Sequence, residues 1–81
     1  MNALNGRLTG LVARVLDLPA AQVEDASADS TPGWDSLAHL RLLMAVEEEY
    51  GVSFSPDEIA DLDSVRRIGN AVERLLDEKA P

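Results

Sequence analysis

The sequence predicts an all-α fold: a small bundle of three main helices plus one short helix, with a long loop between the first and second. Three observations carry this. Apolar residues recur at three- and four-residue spacing in three separate stretches, the period of a helix with one buried face. No stretch alternates apolar and polar residues as a half-buried strand does. Ser55-Pro56-Asp57-Glu58 spells a helix start, with a serine to cap, a proline where no N–H is needed and a glutamate to complete a capping box.

The first helix is marked by Leu4, Leu8, Leu11, Val12, Val15 and Leu16, with Arg7, Thr9 and Arg14 between them. It should stop near Leu18, because Pro19 disfavours helical geometry in the residue before it. Residues 19–34 then form a connection rich in Ala, Asp and Ser, in which Val23 is the large aliphatic residue expected to pin the loop to the core. A loop of that length in a compact domain is usually either functional or disordered. Thr31-Pro32-Gly33 marks a turn at its end. Leu37, Leu40, Leu43, Met44, Val46 and Tyr50 predict a second helix from about 36 to 50, with Gly51 as its C-terminal stop. The short helix should span about 56–62. Asp63 or Ser64 should cap the last one, whose buried stripe is Val65, Ile68, Val72 and Leu75, with Arg66, Arg67, Glu73 and Arg74 outside. Leu40, Leu43, Val46, Phe54, Ile59 and Val72 are the expected core, Trp34 a loop anchor, and His39 an exposed helix residue.

Composition narrows the function. The chain has 81 residues, enough for a single domain over 1–81, and its hydrophobic fraction of 46% argues against disorder. A formal charge of -8 disfavours nucleic acid and anionic membranes and favours partners with basic patches. There is no cysteine, hence no disulfide framework or thiolate metal site, which fits a reducing compartment. No signal peptide or apolar run approaching the ~18 residues of a membrane span is read from the sequence. A monomer in the cytoplasm is the expectation.

Ser36 admits three readings. Trp34-Asp35-Ser36-Leu37 superficially resembles the Gly-Asp-Ser-Leu block of one hydrolase family, and a nucleophilic serine needs a base and oxyanion donors. His39, the single histidine, is the one candidate base, with no obvious carboxylate to orient it. The second reading is structural: Asp35 or Ser36 caps the helix, for about 1 kcal/mol. The third is attachment, since a hydroxyl at an exposed helix start lies beside unpaired N–H groups and the positive end of the dipole, which suits a phosphodiester.

Here the sequence resembles the acyl carrier protein family, over essentially the whole chain. The most specific part is Asp35-Ser36-Leu37, followed by Leu42-Leu43-Met44-Ala45-Val46-Glu47-Glu48-Glu49-Tyr50; Gly51-Val52-Ser53-Phe54, the capping box and Leu62-Asp63-Ser64-Val65 continue it. The resemblance implies a non-catalytic carrier with an acyl-carrier-like bundle. It implies that Ser36 receives 4'-phosphopantetheine from coenzyme A, through a separate phosphopantetheinyl transferase that uses magnesium, with Asp35 as part of the modification motif. The thiol of that arm would hold an acyl group as a thioester. The second helix would be the recognition surface, with Leu37, Met44, Glu47 and Glu48 meeting an acyl-loading enzyme and synthase or transferase enzymes through their basic docking patches, and Arg41 is expected as a further partner contact on the same helix. Glu49 is the weakest of the acidic contributors.

The sequence departs from carriers of fatty acid synthesis at three positions. Arg41 stands where they usually have an acid, Trp34 where they have a small residue, and Pro32 where leucine is common. These departures count against a fatty-acid assignment, while Trp34-Asp35-Ser36-Leu37 together with Gly51-Val52-Ser53-Phe54-Ser55 resembles carriers of specialised, polyketide-type metabolism, and Met1 with the short length fits a free-standing protein. A carrier of aminoacyl or peptidyl groups shares the fold and the serine. An unmodified helical interaction module using the same acidic face is the rival from another class.

Overall fold

A computed structural model describes the backbone of residues 3–79 and the side chains of residues 6–79. The expectations for Leu4 and Met1 fall outside the described residues. Among those residues the chain forms five helices, α1 (Ala3–Leu16), α2 (Ala20–Val23), α3 (Ser36–Tyr50), α4 (Pro56–Asp61) and α5 (Val65–Lys79), and no strand beyond an isolated antiparallel bridge between Ser27 and Ser64.

The amphipathic stripe of α1 places Leu8, Leu11, Val12 and Leu16 in the core, and α1 packs against α2, α3 and α5. The helix ends at Leu16, two residues earlier than the proline rule predicts. Asp17 turns left-handed (φ 56°), and Leu18 N–H donates to the Ala13 carbonyl at 3.0 Å. Aspartate tolerates that region better than most residues and lets the last carbonyls find a donor before Pro19 arrives. The fifth helix is α2, a single turn that lies inside the predicted loop. Pro19 caps it in extended geometry, and Gln22 N–H reaches the Pro19 carbonyl at 2.9 Å. One turn with one apolar residue has no period to read. That residue, Val23, is fully buried, as the sequence predicts.

α3 runs over its predicted span and stops at Gly51, which is left-handed (φ 66°) and donates its N–H to the Glu47 carbonyl at 2.8 Å. Its buried arc consists of Leu42, Leu43 and Val46. Leu40, expected in the core, is instead 50% exposed. At about 100° per residue it points away from the arc shared by Leu42, Leu43 and Val46, which is the arc of α3 that is fully buried. The capping box of α4 forms as predicted, Glu58 N–H donating to Ser55 Oγ (3.2 Å) and Ser55 N–H to Glu58 Oε2 (3.0 Å). Ile59 is half-buried rather than fully buried, because this short helix lies on the core instead of within it. Of the two candidate caps of α5, Ser64 serves: its Oγ accepts from Arg67 N–H at 3.1 Å, while Asp63 pairs with the Arg67 guanidinium at 3.3 Å.

Candidate functional site

The loop reaches α3 under constraint. Ala28 N–H donates to the Asp63 carbonyl (2.8 Å) and Val65 N–H to the Ala26 carbonyl (3.1 Å), tying the loop to the α4–α5 junction. Thr31 and Trp34 are buried, and Trp34 N–H closes a turn onto the Thr31 carbonyl at 2.9 Å. The turn leaves Pro32 and Gly33 outside and delivers Asp35 to the helix start. Trp34 is thus the loop anchor that its size suggests.

Asp35 is the cap: it is extended (φ −93°, ψ −173°), and its Oδ1 accepts from Ala38 N–H at 2.8 Å. Ser36 is therefore released from capping. It is the first residue of α3, exposed, and its hydroxyl takes part in no hydrogen bond among the described residues. What remains is an accessible primary alcohol beside the free N–H groups of a helix start.

No base stands ready for that alcohol. His39 is half-buried rather than exposed, because it falls on the same arc of α3 as Leu42 and Val46. Its Nδ1 accepts from Trp34 Nε1–H at 3.0 Å, the two rings lying 6.1 Å apart and 29° from parallel, and its Nε2 meets the Ile59 carbonyl at 2.7 Å. With both nitrogens occupied elsewhere, the hydrolase reading of Ser36 has no general base. No group of three or more His, Cys, Asp or Glu among the described residues could hold a metal ion.

From Ser36 onward, α3 carries an apolar strip in the open: Leu37 is 60%, Leu40 50% and Met44 67% exposed. Arg41 and Glu48 are exposed on the same arc. Arg41 makes no ion pair among the described residues. Its neighbours three and four positions away are Leu37, Ala38, Met44 and Ala45, none of them acidic. Glu47 is half-buried, and its Oε2 accepts from Phe54 N–H at 2.7 Å, so this carboxylate holds the chain that leaves α3. Glu49 turns to α1, where Arg7 meets it at 2.6 Å and lies 5.0 Å over the Tyr50 ring. The hydrogen bond with Glu49 raises the Arg7 guanidinium further above its ordinary value, and burial pushes the Tyr50 hydroxyl up.

Sequence reasoning missed Leu40 as a member of the exposed strip and His39 as a partner of Trp34. A 100° rotation puts Leu40 outside and His39 inside only once the arc of Leu42 and Val46 is known to be the buried one, and that is decided by packing.

Residues 6–72 match the protein family described as "Phosphopantetheine attachment site". The chain is 36% identical over 78 residues to an acyl carrier protein of Helicobacter pylori (strain G27), an alignment covering 95% of this chain and 96% of that protein. It is 31% identical over 75 residues to the chloroplastic acyl carrier protein 1 of Spinacia oleracea, with 91% of this chain and 54% of that one covered. The corresponding protein of Cuphea lanceolata is 30% identical over 74 residues, covering 90% of this chain and 53% of that one. The chain thus spans about half the length of these plant relatives. No helix among the described residues is long and apolar enough to cross a membrane.

Proposed function

The chain belongs to the acyl carrier proteins, non-catalytic carriers with a covalently attached 4'-phosphopantetheine, and on that premise we propose that Ser36 is the residue that bears the arm. The observation that carries this is the division of labour at the start of α3. Asp35 does the capping, and the Ser36 hydroxyl beside it is exposed and unbonded among the described residues. These residues fit the group. On attachment Ser36 Oγ would form the new P–O bond to phosphopantetheine, adenosine 3',5'-bisphosphate would leave from coenzyme A, and the hydroxyl proton would pass to the transferase. The free N–H groups of the first turn favour the resulting anionic diester. Asp35 would stand beside the magnesium that the transferase brings and could help to hold it. The arm itself supplies the thiol on which acyl groups are held.

Acyl carrier proteins work with phosphopantetheinyl transferases, synthases and acyltransferases. For this chain the proposed docking surface is the open arc of α3: Leu37, Leu40 and Met44 as the apolar strip, flanked by Arg41, Glu47 and Glu48. The proposed setting is a free-standing, monomeric, single-domain carrier in the cytoplasm, serving polyketide-like or other specialised biosynthesis. An exposed Arg41 with no ion pair among the described residues supports that setting, since a partner with a purely basic patch would meet an unscreened cation there.

Incubation with a broad-specificity phosphopantetheinyl transferase and coenzyme A, followed by mass spectrometry, tests the attachment. The wild type should gain one phosphopantetheine. Ser36→Ala should gain none while keeping its helical circular dichroism, because the cap is Asp35. An unmodified wild type, or an alanine variant modified equally well, sinks the proposal.

A further inference from the structure

His39 stands three residues after Ser36 and bridges two other parts of the fold. Trp34, the single tryptophan, is 4% exposed and lies two residues before the serine. The Ile59 carbonyl belongs to α4, a helix of six residues with none fully buried. Its other partner is Leu62 N–H at a long 3.4 Å. These neighbours dictate the state of the imidazole. An indole N–H only donates, so Nδ1 carries no hydrogen; a peptide carbonyl only accepts, so Nε2 carries it. One neutral tautomer satisfies both.

We propose that His39 is a positioning residue for Ser36: through Trp34 it holds the segment that presents the hydroxyl, and through Ile59 it ties that segment to α4. This rests on Ser36 being the attachment residue. The relay requires a neutral ring. A proton on Nδ1 sets two N–H groups against each other and breaks the Trp34 end, while the Ile59 end survives. The charged groups on the elements that meet there are Glu24, Asp25, Asp29 and Asp35 of the loop, Arg41, Glu47, Glu48 and Glu49 of α3, and Asp57, Glu58 and Asp61 of α4. Asp35 is engaged by Ala38, Glu47 by Phe54, Glu49 by Arg7 and Glu58 by Ser55 and Arg74, and none of these groups pairs with the imidazole. Nothing charged therefore compensates for loss of the Trp34 bond.

The indole N–H resonance and the modification rate of the unmodified protein test the relay together. In the wild type the indole N–H should exchange slowly with water, because it is buried and bonded to Nδ1; in His39→Phe, which leaves it without that acceptor, its signal should shift and its exchange speed up. His39→Asn keeps an acceptor near the Nδ1 position, so its indole signal should stay close to that of the wild type. His39→Phe removes both bonds and should lower kcat/KM for phosphopantetheinylation about tenfold, the scale of one buried hydrogen bond lost. His39→Asn should return it to within roughly threefold, because the Trp34 end is rebuilt. If His39→Phe fails to fold, Trp34→Phe cuts the same bond from the other side, and its modification rate should fall similarly. An indole signal that His39→Phe leaves unchanged, or equal modification rates in all variants, overturns the proposal. Ser36→Ala should keep the wild-type indole signal. If the indole responds to His39→Phe but the wild type is never modified, the attachment reading is overturned, and with it the purpose assigned to the relay; if the wild type is modified but the indole is indifferent to His39→Phe, the relay alone is overturned.

Discussion

Arg41 is the residue on which the proposed choice of partner turns. Most of the chain's cations are occupied: Arg7 holds Glu49, Arg67 holds Asp63, Arg74 joins Glu58 and Glu78, and Lys79 Nζ donates to the Gly51 carbonyl at 2.5 Å. Arg41 has no such duty and sits among Leu37, Leu40 and Met44. A cation in that strip repels a basic docking patch and offers an acidic group a partner. Arg41→Glu should therefore raise kcat/KM with fatty-acid elongation enzymes and lower it with the protein's own partner, each by roughly fivefold, equivalent to about 1 kcal/mol for a solvent-screened contact. Steady-state kinetics of the modified variants at low and high salt measure this, and the difference should shrink as salt rises. Unchanged specificity would reduce Arg41 to ordinary helix surface.

At the scale of elements, α4 is held by polar groups rather than by depth. None of its residues is fully buried. Its supports are the Ser55–Glu58 box, the Glu58–Arg74 ion pair and the His39 bond to the Ile59 carbonyl. The Ser55 N–H, ahead of Arg74, holds the Glu58 carboxyl below the usual carboxylate range. A carboxyl lowered on folding stabilises the fold above its unfolded pKa of about 4.3, and that contribution is lost as pH falls through the lowered folded value. Glu58→Gln keeps the geometry of the box without the charge. It should cost no more than about 0.5 kcal/mol at neutral pH, since the group is solvent-screened, and the difference from wild type should vanish as pH falls through the lowered folded value. Denaturant unfolding at a series of pH values checks this. A difference that persists undiminished in acid would show that the charge of Glu58 contributes nothing.

The whole molecule carries 15 acidic residues against 7 basic ones, a net charge of -8 on a chain with a radius of gyration of 11.8 Å. The excess acids repel one another across distances comparable to the Debye length, about 8–10 Å at physiological ionic strength. Added salt or millimolar magnesium should therefore raise the melting temperature. In a domain of this size about 1 kcal/mol of relieved repulsion corresponds to roughly 4–8 °C. Scanning calorimetry at rising salt measures the effect, and a melting temperature indifferent to both additives would mean that the folded charges are already spread or paired well enough.

The period of the apolar residues determined α1, α3 and α5, and the capping chemistry of Ser55 and Gly51 determined where α4 begins and α3 ends. These are local properties, written within a few residues of where they act. Asp35-Ser36-Leu37 likewise made the candidate attachment site legible, because a helix start is a local event. The tertiary structure alone decided three things. It showed α2, a turn too short to have a period. It put Leu40 in solvent and His39 under cover, since which arc of α3 is buried depends on where α1 lies. It also committed Glu47 to Phe54 and Glu49 to Arg7. Three consecutive glutamates look alike in sequence; they acquire different duties only when other parts of the chain arrive beside them.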